Sequence, residues 1–217
     1  MIKLVLFDFD GTLVNTNRLI IESFKYTYKR HLNLDVTEEE ITRYFGEPLI
    51  TTLSRYDSQK AHDMFNTYIE FNESKHDSMV RAFEGADEVL KILKSLNIKV
   101  GIVTSKRKVM AERGLKVTNI KQPLDVFITL EDTNKHKPDG EPVKKACEIL
   151  NISPSEAIYV GDTSFDVLCG KNAGTLTCVV EYTSLPLQEL LKYNPDYRVK
   201  SLLDIVDIVE ECNKDAV

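Results

Sequence analysis

The chain has 217 residues, 42% apolar and 29% charged, with 9 Gly and 7 Pro: enough for one substantial core, or a core with a smaller satellite. Its formal charge of -6 argues against a general nucleic-acid binder, which carries a basic surface. No run approaches the ~20 apolar residues of a membrane span, and the opening MIKLVLFDFDG meets charge too soon for a secretory leader, so no nucleic acid, no membrane and a cytoplasmic location are expected.

Residues 2–7 (IKLVLF) are nearly all apolar and end at Asp8 and Gly11, the pattern of a strand covered on both faces in a parallel sheet. Between Thr16 and Phe83 the period is helical, with little convincing strand. LIIESFKYTYKR (19–30) aligns Leu19, Ile20, Ser23, Phe24 and Thr27 along one side. Thr37 and Glu40 form a capping box that opens a helix with Ile41, Tyr44 and Phe45 inward, and GEP (46–48) stops it. A further helix is predicted from about residue 58 to 72.

From residue 84 onward strands and helices alternate. The strands are IKVGIVT (98–104), DVFITL (125–130), AIYVG (157–161) and TLTCVV (175–180), with PDYRV (195–199) as an edge strand. ADEVLKILKSL (86–96) and EPVKKACEIL (141–150) carry apolar helical faces, Pro142 suits a first turn, and SPSE (153–156) reads as a small capping box. An apolar-stripe helix with Leu202, Leu203, Ile205, Val206 and Val209 closes the chain. The expected fold is α/β: a doubly wound, mostly parallel Rossmann-like core (1–15 and 84–217) with a small all-helical cap (16–83) inserted after the first strand. Cys147 and Cys178 read as buried free thiols, and a reduced compartment suits all four cysteines, Cys169 and Cys212 included. His31, His62 and His76 lack metal-ligand spacing and read as structural.

In a parallel sheet the residues just past each strand converge on one edge, where ligands bind. Here that edge collects Asp8 and Asp10, then Thr104 and Ser105, then Lys137 in NKHKPDGEP (134–142), then Asp162 and Asp166 in GDTSFD (161–166). Asp8, Asp10, Asp162 and Asp166 cannot all ionise together at low cost. A hard divalent cation resolves the conflict; Mg²⁺ suits a site of a few carboxylates, water and a phosphate oxygen, whereas an EF-hand calcium loop lacks its spacing and closing Glu. Residues i and i+2 of a strand point the same way, so both carboxyls of DFD reach one ligand. Gly11 lets the backbone turn closely beneath a bound anion. Such a site suits phosphoryl transfer: one aspartate attacks phosphorus while a protonated neighbour serves the leaving oxygen. A receiver-type phospho-acceptor domain meets the same electrostatic problem, but is much shorter and has its acidic pair and acceptor on different strands.

DFDGTL, VTS, HKP and GDTSFD, in this order, resemble the motifs of the haloacid-dehalogenase-like superfamily of phosphatases, over essentially the whole chain. The resemblance implies Asp8 as nucleophile, forming an aspartyl-phosphate, and Asp10 as general acid and then base. It further implies Thr104 bonded to the phosphoryl group, Lys137 balancing Asp8 and the phosphate, and Mg²⁺ on Asp8, Asp162 and the Asp10 carbonyl with support from Asp166. The insertion is similar to the helical cap of the phosphoglycolate-phosphatase and β-phosphoglucomutase group. GTLVNTNRLI, FGEPLITTLSRYD, YIEFNESKHDSMVRAFEG and ITLEDTNKHKPDGEPV look most like the bacterial inorganic pyrophosphatase branch, which more usually has Asn at the position of Thr163. That implies hydrolysis of diphosphate to two phosphates; the alternatives are a small phosphomonoester phosphatase, phosphoglycolate phosphatase included, and a sugar-phosphate mutase. A second anionic group on the substrate needs cations beyond Lys137. Gly11, Ser105, Lys106 and Arg18 are the expected substrate-binding residues, with the rest of the KRK cluster (106–108) and Arg43 as further candidates. A monomer or weak homodimer is expected.

Overall fold

The computed structural model describes residues 1–214. Its main sheet has six parallel strands in the order β5-β4-β1-β6-β7-β8: β1 Leu4–Phe7, β4 Lys99–Val103, β5 Val126–Ile128, β6 Ala157–Gly161, β7 Leu176–Val180 and β8 Tyr197–Val199. In β1 alternate side chains serve opposite faces. Val5 and Phe7 pack with Val100, Ile102, Ile158 and Val160, whereas Leu4 and Leu6 pack with Val103, Cys147 and Tyr159. Every residue of β1 is therefore buried, which is why its sequence is apolar without alternation.

Helices α5 (Ala86–Ser95), α6 (Lys108–Thr118), α7 (Glu141–Leu150), α8 (Ser164–Ala173), α9 (Leu187–Leu191) and α10 (Asp204–Lys214) lie in the segments between and after these strands. Leu202 and Leu203 precede α10 rather than belonging to it. After β1 the chain leaves the sheet for a smaller helical layer: α1 (Asn17–Leu32), α2 (Glu38–Thr42), α3 (Leu49–Tyr56) and α4 (Ala61–Met79). Their own core joins Phe24, Tyr28, Leu53, Met64 and Tyr68. The Thr37–Glu40 capping box forms, and Thr37 N–H donates to Glu40 at 2.7 Å.

Several readings of the sequence need correction. The insertion is not all helical, because β3 (Arg81–Ala82) pairs antiparallel with β2 (Val14–Asn15) where the chain leaves and re-enters the core. The helix opened by the capping box already ends at Thr42, so Tyr44 and Phe45 lie in the turn beyond it, and GEP leads instead into α3, with Pro48 at the N-cap, where a missing N–H costs no helical bond. α4 starts later and runs further than predicted. The strand at 125–130 stops at Ile128, since the backbone N–H and hydroxyl of Thr129 donate to Asp132 and a 3₁₀ turn, Leu130–Asp132, begins there.

Candidate active site

Asp8 directly follows β1, and its backbone N–H donates to the Val160 carbonyl at 2.8 Å, continuing the ladder with β6. This holds the carboxyl at the carboxyl-terminal edge of the sheet. Thr104 continues β4 in the same way, bonding to the Ile128 carbonyl at 2.9 Å. Asp162 follows β6, and Asp166 lies one turn into α8. Lys137 reaches in from the loop before α7, which Asn172 anchors by donating to the Pro138 carbonyl at 2.8 Å.

Carboxylate oxygens of Asp8, Asp162 and Asp166 lie within 4.8 Å of one another, and all three residues are buried. Lys137 Nζ sits between two of them, 2.6 Å from Asp8 Oδ1 and 2.7 Å from Asp166 Oδ1. Burial drives the Asp8 pKa up and Lys137 opposes it, leaving a value of about 7. Burial and then the charges of Asp166 and Asp8 raise Asp162 well above the carboxylate range. Asp166 stays below its ordinary value despite burial, because of the Lys137 charge and donors from Lys137 and Thr163. Lys137 is pushed upward, its burial outweighed by Asp166 and Asp8. One cation thus serves three carboxylates, and the site is short of positive charge.

Asp162 shows where the missing charge belongs. Its Oδ1 is buried without a hydrogen-bond partner, although such a group rarely goes unpaired. On its other side a Cβ on Gly11 would lie 2.2 Å from Asp162 Oδ2, so glycine at φ +82° leaves the space that the carboxylate fills. Three hard oxygen donors, one of them unsatisfied, fit a divalent cation that prefers oxygen.

Asp10 stands apart from this cluster. Both its carboxylate oxygens lie 2.9 Å from Lys106 Nζ. Thr104, Ser105 and Lys106 line the same cavity as Asp8, Asp10 and Asp162, a space of about 470 Å³ between the sheet edge and α1, α3 and α4. Arg18 does not. It is exposed and faces a separate hollow with Ile21, Glu22 and Tyr182, because Asn17, Ile20 and Phe24 form the side of α1 turned to the cavity and Arg18 lies on another side. Arg43 pairs with Glu39 at 2.6 Å and is also absent from the lining. Tyr159 was missed: read as an apolar strand residue, it shares its one hydroxyl hydrogen between Asp166 at 3.1 Å and the Val103 carbonyl at 3.0 Å. A lone hydroxyl in an otherwise apolar strand was the available signal. His136, Asn72 and Glu47 also line the cavity, the last paired with Arg55 at 2.6 Å.

The profile of a family described as Haloacid dehalogenase-like hydrolase matches residues 5–180. The chain belongs to this family. Among similar proteins, "Putative pyrophosphatase PpaX" of Clostridium perfringens is 54% identical over 98% of this chain and 100% of its own length. "Pyrophosphatase PpaX" of Bacillus mycoides is 38% identical over 98% of this chain and 99% of its own. A haloacid-dehalogenase-like family hydrolase from Streptococcus pneumoniae, 23% identical, superposes with a TM-score of 0.86 over 95% of this chain and 98% of that one, a likeness of fold. No helix of this haloacid-dehalogenase-like hydrolase is long and apolar enough, among the described residues, to cross a membrane.

Proposed function

We propose that the chain is a Mg²⁺-dependent phosphohydrolase whose substrate is inorganic pyrophosphate, working in the cytoplasm. The carrying observation is the buried Asp8–Lys137–Asp166 bridge beside the unpartnered oxygen of Asp162. The two PpaX relatives, similar over nearly the whole chain, support the substrate.

Asp8 is the nucleophile: its carboxylate attacks phosphorus and becomes an aspartyl-phosphate. Lys137 aligns that carboxylate and offsets charge on the phosphoryl oxygens, while the Tyr159 hydroxyl and the Thr163 donors hold Asp166 as the anchor for Lys137. Thr104 and the Ser105 backbone N–H receive the transferring group. Asp10, from the same turn as Asp8, gives a proton to the leaving oxygen and then takes one from the attacking water. Lys106 leaves Asp10 for the distal phosphate. Asp8, Asp162 and the Asp10 carbonyl would hold Mg²⁺, supported by Asp166; when bound, the ion offsets negative charge on the phosphoryl oxygens. The segment 16–83 acts as the lid.

Phosphate release from pyrophosphate, phosphoglycolate and hexose phosphates, with and without Mg²⁺, tests the reading. Mg²⁺-dependent turnover preferring pyrophosphate is expected, with Asp8→Asn at least about 10³-fold slower and still folded. Turnover that survives Asp8→Asn refutes the assigned nucleophile; a preference for another ester refutes the substrate.

A further inference from the structure

Pyrophosphate is small and anionic throughout, but the cavity behind Asp8 is neither small nor cationic. It measures about 470 Å³. The cations on its wall are each balanced by a carboxylate in this structure: Lys137 by Asp8 and Asp166, Lys106 by Asp10, and Arg107 by Glu73 at 3.2 Å. Away from the carboxylates the wall is mostly apolar, with Asn72 and His136 among its polar exceptions. Ile20, Leu49, Phe65 and Ile69 from the insertion face Leu130 and Phe165 from the core, and all six are half-buried.

An open seam between two lobes would look similar, with apolar surfaces waiting to meet. Here they have already met around the rim. On one side a Cβ on Gly46 would lie 2.8 Å from the Phe165 ring and 3.0 Å from Thr163 Oγ1, so the insertion is seated on the core. On the other, Arg113 of α6 donates to Asp77 at 2.7 Å and to the Glu73 carbonyl at 3.1 Å on α4. The apolar space persists with the lid in contact on both sides.

We propose that this chamber gives the enzyme a second substrate class, phosphate monoesters of apolar alcohols, with the phosphoryl group at Asp8 and the alkyl group among Ile20, Phe65, Ile69 and Phe165. The proposal rests on the phosphoryl chemistry proposed above. Asp8 forms its bond to phosphorus as the bond to the alkyl oxygen breaks, and that oxygen takes the proton carried by Asp10. Water then adds to phosphorus, the bond to Asp8 breaks, and the water's proton passes to Asp10.

The test is phosphate release by the full-length protein with Mg²⁺ from the n-alkyl phosphates, methyl to hexyl, beside pyrophosphate. These alcohols leave with nearly equal difficulty, so a trend reports binding of the chain. kcat/KM is expected to rise about three- to fourfold per methylene until the chamber is full. Ile69→Asp is expected to lower the hexyl-to-methyl ratio at least about tenfold, and a ratio cancels any general loss of active protein. A flat series with pyrophosphate turned over overturns the proposal alone, as does an unchanged ratio in the variant. No turnover of any ester or of pyrophosphate overturns the phosphohydrolase reading with it. If the variant does not fold, the wild-type series decides by itself.

Discussion

Asp162 combines three things that disfavour its charge: burial, two neighbouring carboxylates and an oxygen without a donor. Mg²⁺ bound at the proposed site is therefore expected to act on folding as well as on chemistry. At about one hundred times its dissociation constant it stabilises by about 2.7 kcal/mol, worth a rise of roughly 5–10 °C in Tm for a chain of this size. Asp162→Asn replaces a carboxyl whose charge the cluster disfavours with a neutral amide of similar shape. Without metal it is expected to melt at or above the wild-type temperature, and the Mg²⁺ shift should disappear; scanning calorimetry with EDTA or Mg²⁺ reads both. An undiminished shift in the variant would remove Asp162 from the metal site. The meeting of Asp8, Lys137, Asp162 and Asp166 was legible in the sequence because each directly follows a strand or lies in the loop or first helical turn beyond one, and parallel strands bring those ends together. Arg18 was not, because a helix changes face at every residue and its neighbours Asn17 and Leu19 do reach the cavity. The Lys106–Asp10 pair joins residues 96 positions apart, and no local pattern announces it.

Among the elements, α5, β4 and the approach to β5 are tied by one carboxylate. Asp125 accepts from Lys94 at 3.1 Å, Lys99 at 2.9 Å and the Val100 N–H at 3.0 Å. Burial opposes its charge, yet the Val100 N–H and the two lysines hold the pKa below 3.8. A depressed carboxyl contributes stability above its unfolded value and loses it as pH falls through the folded one. Asp125→Asn is therefore expected to cost about 1–3 kcal/mol at pH 7 by urea denaturation, with the difference shrinking below pH 3.8. A difference independent of pH would exclude the charge as its source. The α4–α6 contact is weaker. Arg113 and Asp77 are both substantially exposed, and such pairs contribute about 0.2–1 kcal/mol, enough to shift a lid equilibrium up to about fivefold. Arg113→Ala is expected to raise the KM for pyrophosphate two- to fivefold with kcat unchanged; an unaltered KM would assign the seating to Gly46 alone. The strands were the readable elements, since a short apolar run bounded by charge and turn residues has to be covered on both faces, and a central parallel strand is what covers it. β2 and β3, two residues each, are too short for any period to show, and α3 was hidden because the Gly and Pro of GEP read as a stop, whereas Pro48 stands at the N-cap of α3.

Over the whole molecule, the sheet, covered by helices, leaves thiols little access to solvent. Cys147, Cys169 and Cys178 are buried, and burial pushes their pKa values to about 11, about 12 and about 12. Cys212 alone of the four is half-exposed, 3.3 Å from the Tyr197 hydroxyl. Iodoacetamide at pH 8 is expected to label the native protein once, at Cys212, and the urea-unfolded protein four times, as counted by mass spectrometry. Native labelling at Cys169 would mean that α8 opens readily from the sheet.

β1 lies between β4 and β6, so the first strand to be synthesised has no neighbour in the main sheet until residue 99 and no second one until residue 157. A ribosome must extrude most of the polypeptide before Asp8 meets both Asp162 and Asp166, and a product truncated before Ala157 carries Asp8 and Lys137 without those two carboxylates. The site is assembled in stages along the chain, and its last carboxylates arrive late in translation.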